Sequence, residues 1–130
     1  MRTTLTWGAT FGAIGIILGA LGAHALKSVL SAEQLHSFEI GVRYQMYHAL
    51  FLLVIGWMQR KEAIRGLKLV RNLTIAGIFC FSFSIYFLSL QDILGVKLSF
   101  LGPVTPFGGL LLISAWLVLL VNSLKAPNGE

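Results

Sequence analysis

The side chains of this chain that are suited to chemistry cluster in residues 36–48. Glu39 and Arg43 are four residues apart, and on a helix that spacing allows two side chains to interact. Candidate ligand-binding or polar-network residues, including two from other segments, are His24, Glu39, Arg43, Tyr44, Gln45, His48 and Tyr86. Such a set is suited to binding a polar headgroup, a quinone or a small solute, or to passing a proton between His48 and Tyr44.

Four apolar stretches must position these side chains: Leu5–Leu26, Tyr44–Met58, Leu73–Leu90 and Phe107–Leu124. Three of them approach the roughly 20 residues that a helix needs to cross about 30 Å of hydrocarbon. The composition agrees, since 56% of the residues are hydrophobic and only 12% are charged. We therefore expect an all-α membrane protein, a single four-transmembrane-helix bundle over residues 1–130.

The second stretch is short, and its helix must extend into more polar sequence to cross. Ser31 and Gln34 form a capping box, which predicts a helix that begins near Ala32 and continues to Arg60. A crossing would then reach back to about Glu39 and leave His48 about 15 Å from the opposite boundary, near the midplane. Polar side chains at that depth normally face the bundle interior or a water-filled cavity.

Three interpretations of this polar cluster remain open. The first is a buried network in which Glu39 and Arg43 neutralise each other. The second is a ligand site or a proton path, and the third is a contact surface for a larger partner. We expect no metal and no other cofactor, because convergence of histidine or carboxylate ligands is not visible in the sequence. The familiar phosphate-loop, Cys-x-x-Cys, His-Glu-x-x-His and Gly-x-Ser-x-Gly signatures are absent from the sequence, so we do not expect an enzyme.

Small residues form a stripe on the first helix. Its glycines recur every three or four residues: Gly8, Gly12, Gly15, Gly19 and Gly22. Small residues allow helix backbones to approach closely in lipid, so the stripe predicts tight packing inside the bundle or a face for self-association. Residues 23–25 (Ala-His-Ala) resemble a signal-peptide cleavage site, but the apolar run is longer than a usual signal core, and we expect a retained helix.

Charge predicts the orientation. The 59–72 segment contains five of the ten basic residues (Arg60, Lys61, Arg65, Lys68 and Arg71), opposed only by Glu62. Cytoplasmic loops are enriched in Lys and Arg, which makes this segment cytoplasmic and puts both termini, with Arg2 and Lys125, on the same side. Anionic lipid headgroups are the next most natural partners of these residues. Nucleic-acid binding is not expected.

The connection before the last stretch is irregular, with breaks at Gly95 and at Gly102-Pro103. Thr105 is a predicted N-cap and Pro106 a predicted first helical residue. The Gly108-Gly109 pair that follows permits close approach of another helix.

Several of these segments together resemble a known family, the YgdD/YwdK-like inner-membrane proteins, whose eukaryotic relatives are called transmembrane protein 256. The matching blocks are Gly19-Ala-Leu-Gly-Ala-His-Ala-Leu-Lys27, Phe38-Glu-Ile-Gly-Val-Arg-Tyr-Gln-Met-Tyr-His-Ala-Leu50, Phe83-Ser-Ile-Tyr86, Gly102-Pro-Val-Thr-Pro-Phe-Gly-Gly109 and Trp116. The resemblance covers nearly the whole chain. It implies a multi-pass, four-helix protein of the bacterial inner (plasma) membrane, or a mitochondrial counterpart, and no activity.

We accordingly expect an accessory or scaffold component of a larger membrane complex, with the glycine stripe as its packing or partner face. The alternative is a small binder or carrier of a lipid, quinone or polar solute that uses Glu39, Arg43, Tyr44 and His48. Expected partners are membrane lipids, with a larger membrane complex or further copies of the chain as additional ones.

Overall fold

A computed structural model describes residues 1–61 and 64–127, and these residues contain helices and no strand. The helices are α1 (Arg2–Ala23), α2 (Ala32–Lys61), α3 (Leu67–Ile78), α4 (Ser84–Leu94) and α5 (Val104–Leu124). A π-helical segment, Phe79–Phe83, joins α3 to α4 without a break, and a short 3₁₀ turn, Ser99–Leu101, precedes α5. Three helices are long and apolar enough to cross a membrane: α1, the continuous Leu67–Leu94 helix, and Ser99–Leu124, which includes α5.

The observed bounds of α2 agree closely with the predicted ones. The helix begins at Ala32, as predicted, and its end at Lys61 is one residue beyond the prediction. The capping box is confirmed, because the Gln34 N–H donates to the Ser31 hydroxyl at 3.2 Å and the Ser31 N–H donates to the Gln34 side chain at 3.0 Å.

The first and third helices do not share the bounds of the apolar stretches that contain them. Helix α1 ends at Ala23 rather than Leu26, because the Leu26 N–H closes a wide turn onto the Leu21 carbonyl at 2.9 Å. The third helix extends beyond Leu73–Leu90 at both ends, to Leu67 and Leu94.

The predicted Thr105 cap was wrong. Pro103 already has helical dihedrals and serves as the N-cap, so α5 begins at Val104. Pro106 is then the third helical residue, where a missing N–H costs little because the first turn has no intrahelical acceptor. The Thr105 hydroxyl instead lies 2.6 Å from the Ser84 hydroxyl on α4.

Helices α1 and α2 pack antiparallel along the glycine stripe. A Cβ atom placed on Gly8 would lie 3.0 Å from the Ala49 carbonyl oxygen, and one on Gly22 would lie 3.2 Å from the Phe38 ring. The glycines between them also face α2, with Gly15 against Met46. The structure thus uses the stripe for packing within this chain.

Helix α5 packs most closely where it crosses the π-helical segment. A Cβ atom on Gly108 would overlap the backbone of Cys80 and Phe81, whereas one on Gly109 would lie 3.7 Å from the Phe81 ring, an ordinary contact. Aromatic side chains connect the same segment to α1, since the Phe11 and Phe79 ring centroids are 5.4 Å apart. The π-helical segment therefore contacts both α1 and α5.

Adjacent glycines give a test of this crossing. Gly108→Ala should lower the free energy of unfolding by about 3 kcal/mol, because the new methyl group meets backbone atoms that cannot rotate away. Gly109→Ala should leave it unchanged or raise it by up to about 1 kcal/mol, because alanine favours the helix and has room. Unfolding in detergent micelles, followed by circular dichroism, measures both. Equal effects of the two substitutions would contradict the backbone contact.

Candidate functional site

Helix α2 presents a fully buried amide, Gln45, to both neighbouring helices. The Gln45 Nε2 donates to the Phe11 carbonyl on α1 at 2.8 Å, and the Tyr86 hydroxyl on α4 donates to the Gln45 Oε1 at 2.7 Å. Tyr86 comes this close because Gly41 has no side chain: a Cβ there would lie 2.7 Å from the Tyr86 ring. The Ser82 hydroxyl donates to the Gly41 carbonyl at 2.8 Å. This cluster joins three helices through polar contacts.

One turn further along α2, His48 forms a second polar group with Trp116 of α5. The Trp116 Nε1–H donates to the His48 Nε2 at 3.2 Å, and the His48 Nδ1 lies 2.7 Å from the Tyr44 carbonyl oxygen. Because an indole N–H can only donate, the His48 Nε2 must be the acceptor. The proton of a neutral His48 is then on Nδ1, where it is donated to the Tyr44 carbonyl. Both ring nitrogens are thus engaged.

An open groove lies between α2 and α5 beside this pair. Its volume is about 360 Å³, and its lining residues are Tyr44, His48, Phe81, Gly109, Leu112, Ile113 and Trp116. Trp116 stacks on Phe51 with ring centroids 4.1 Å apart, which fixes the indole at the edge of the groove. Tyr44, which also lines the groove, is 41% exposed. The groove lining is mainly aromatic and aliphatic, and its residues with side-chain hydrogen-bonding groups are Tyr44, His48 and Trp116.

The structure does not bring the predicted polar residues into one site. Of the seven, Gln45 joins Tyr86, and Tyr44 and His48 form a separate pair, while His24, Glu39 and Arg43 are exposed. Among the described residues no salt bridge joins Glu39 to Arg43, and both side chains are exposed rather than part of a buried network. Each of these two is two residues, or about 200° around the helix, from the inward-facing Gly41. They therefore lie on the outer side of α2.

Sequence reasoning missed Trp116 as a hydrogen-bond donor and Ser82 as a bridge to α2. The signal for Trp116 was available, because an indole N–H within an apolar helix needs a polar partner and few polar groups lie at that depth. For Ser82 no comparable signal exists, because its orientation depends on the π-helical segment. In residues 1–61 and 64–127, no three His, Cys, Asp or Glu side chains are grouped to hold a metal ion.

The buried amide can be tested by removing each partner. Gln45→Leu leaves the Tyr86 hydroxyl without its acceptor and Tyr86→Phe leaves the Gln45 oxygen without its donor, so each should lower the unfolding free energy by about 1–2 kcal/mol. The double substitution should cost less than the sum of the two. Tyr47→Phe removes the hydroxyl of a tyrosine that is 55% exposed and should have no effect. Strictly additive losses would contradict the pairing.

Comparison with other proteins places the chain in a family. Residues 18–109 match the family described as "Protein of unknown function (DUF423)". A UPF0382 membrane protein of Staphylococcus epidermidis is 38% identical over 125 residues, which are 96% of this chain and 98% of that protein. The UPF0382 membrane protein YwdK of Bacillus subtilis is 36% identical over 126 residues, with the same two coverages.

A third relative, the UPF0382 membrane protein SSP2132 of Staphylococcus saprophyticus, is 38% identical over 96% of this chain and 99% of its own length. No solved structure matches the chain. The resemblance to YwdK-like proteins is therefore confirmed, and the chain is a membrane protein that belongs to the DUF423 family.

Proposed function

We propose that this chain is a four-span protein of the bacterial inner membrane that binds a membrane-soluble small molecule in the groove beside His48, and that it is a binder rather than an enzyme. The first support concerns α2, which is not among the helices apolar enough to cross by composition alone. It accompanies α1 over nearly the whole length of α1, from the Thr4–Gln59 hydrogen bond of 2.7 Å to the Gly22–Phe38 contact.

This pairing supports a crossing by α2. From residue 38 to residue 59 the helix rises about 32 Å, close to the thickness of the hydrocarbon core. If α1 crosses, the α2 backbone beside it crosses as well. The midpoint of that segment lies beside His48, consistent with a groove near the middle of the bilayer. Glu39 and Arg43 would then lie toward one boundary, where their exposed charges can reach headgroups and water.

The orientation is supported by what meets at one end of the bundle. Thr4 bonds Gln59, and Gly66 lies directly against Asn122, so the start of α1, the end of α2, the start of α3 and the end of α5 share that end. This end carries the basic cluster, together with Arg2 and Lys125. The positive-inside rule makes it cytoplasmic.

Site-directed labelling tests the crossings. In a Cys80→Ala background, single cysteines replace Lys27, Arg65 or Lys97, and a membrane-impermeant maleimide is added to intact bacteria. Lys27→Cys and Lys97→Cys should react from outside, whereas Arg65→Cys should react only after the membrane is permeabilised. Reaction of Lys27→Cys and Arg65→Cys from the same side would show that α2 does not cross, and the inverted pattern would reverse the orientation.

The groove is the observation that carries the binding proposal. A volume of about 360 Å³ lies within the range of small-molecule sites, and its lining has the usual character of apolar walls with a few placed polar groups. Ring-containing molecules suit the stacked Trp116 and Phe51. His48 and Trp116 favour a ligand that carries a hydroxyl, because such a group both donates and accepts hydrogen bonds.

Filling the groove should abolish binding without disturbing the core. Ile113 lines the groove and is 56% exposed, so Ile113→Trp should reduce by tenfold or more the amount of small molecule that copurifies from native membranes in mild detergent. Leu110→Trp is the matched control, since Leu110 is 62% exposed on the same helix and does not line the groove. Lipid and small-molecule mass spectrometry measures the ratio of each compound to protein. Equal ratios in all three proteins would overturn the proposal.

The glycine stripe, which was the expected partner face of an accessory component, contacts α2 and is not available to another protein. One exposed apolar surface available to a protein partner is the outward face of α5, where Leu117 and Leu120 are more than half exposed. Lipid covers such a face equally well. A stoichiometric protein in the same purification, lost on a bulky change of this face, would favour the accessory role over the binder.

A further inference from the structure

The charge of this chain is concentrated at one end of the bundle. Seven of the ten basic residues lie there: Arg2, Arg60, Lys61, Arg65, Lys68, Arg71 and Lys125. The three basic residues of the opposite end, Lys27, Arg43 and Lys97, are matched by three acids, Glu33, Glu39 and Asp92. The charges of the opposite end therefore cancel, and the excess of basic residues is at the basic end.

A second cavity, of about 400 Å³, lies at this end between the start of α1, the end of α2 and the start of α3. Its polar lining comes from Gln59, Lys68 and Arg71, and its apolar lining includes Ile64 and Leu67. It is distinct from the groove beside His48, and no residue lines both. The basic end is therefore more than a surface with scattered positive charges, because it contains a cavity.

The cavity combines several donors. The Arg71 Nε donates to the Asn72 side chain at 3.0 Å, which orients the guanidinium. The Thr4 hydroxyl donates to the Gln59 side-chain oxygen, which orients the Gln59 amide. Helix α3 begins here behind Gly66, a residue with φ of 76° and no side chain to cap the first N–H groups. Two oriented side-chain donors and the positive end of a helix dipole thus border one cavity.

We propose that this cavity binds the phosphate of an anionic phospholipid headgroup. A phosphate oxygen suits Arg71 and Lys68, because charge-assisted hydrogen bonds to guanidinium and ammonium groups are short and strong. The lipid is favoured over free phosphate because the lining is partly apolar, with Met1, Ile64 and Leu67 beside the two cations. Basic pockets between helices on the cytoplasmic side are suited to such headgroups. The proposal is independent of the His48 groove.

Charge-matched variants test this site. The full-length protein is reconstituted in vesicles of equal parts phosphatidylcholine and phosphatidylglycerol, extracted in mild detergent, and analysed by native mass spectrometry for retained lipid. Lys68→Gln with Arg71→Gln removes two charges at the cavity, and Arg60→Gln with Lys61→Gln removes two charges beside it. We expect retained phosphatidylglycerol to fall about tenfold in the first variant and less than twofold in the second.

Three results would overturn the proposal. Equal losses in both variants would mean that only the diffuse surface potential attracts the lipid. Undiminished retention in the first variant would remove Lys68 and Arg71 from the site. Displacement of the lipid by millimolar inorganic phosphate would identify free phosphate as the ligand. Circular dichroism and gel filtration establish that each variant is folded, and Lys68→Arg, which keeps the charge, should retain the lipid.

Discussion

The structure depends on the close approach of α1 and α2. Helix α2 is too polar to be stable in lipid alone, and it needs a neighbour near enough to satisfy its polar side chains. The glycines of α1 bring the backbones together, so that Gln45 reaches the Phe11 carbonyl at 2.8 Å. A leucine at Gly15 would push Met46 and the adjoining Gln45 away and break that bond. The small residues thus determine which face of α2 is inward.

The π-helical segment and the residue after it contact both α2 and α5. Within it and just after it, Ser82 bonds the Gly41 carbonyl of α2, whereas Ser84 meets Thr105 of α5. Side chains two residues apart on a helix point in roughly opposite directions. Ser82 and Ser84 therefore join α2 and α5 to one central helix. The wider turn also presents backbone atoms to Gly108. Together, these contacts hold α5 at a fixed distance from α2, and that distance determines the width of the groove.

Local features of the fold followed from the sequence, and features that depend on distant residues did not. The Ser31–Gln34 box predicted the start of α2, and the glycine periodicity predicted close packing, because both are properties of neighbouring residues. Four-residue spacing correctly indicates that Glu39 and Arg43 share a face, but it cannot say whether that face is inward. His48 and Trp116 are 68 residues apart, and their contact depends on the packing of α5. The π-helical segment has no sequence pattern of its own.

Gln45 and His48 lie one turn apart, yet their surroundings suit different roles. The Gln45 amide is fully buried, with both ends bonded to protein, so a ligand could reach it only by opening the bundle. The His48–Trp116 bond borders an open groove. A hydroxyl entering between them can accept from the indole and donate to the imidazole, which leaves no polar group unpaired in a medium where each such loss costs several kcal/mol. A ligand that can only accept hydrogen bonds would accept one from the indole N–H and leave the His48 Nε2 without a donor. The Gln45 cluster is therefore closed to a ligand, whereas the His48–Trp116 pair borders the groove that we propose binds one.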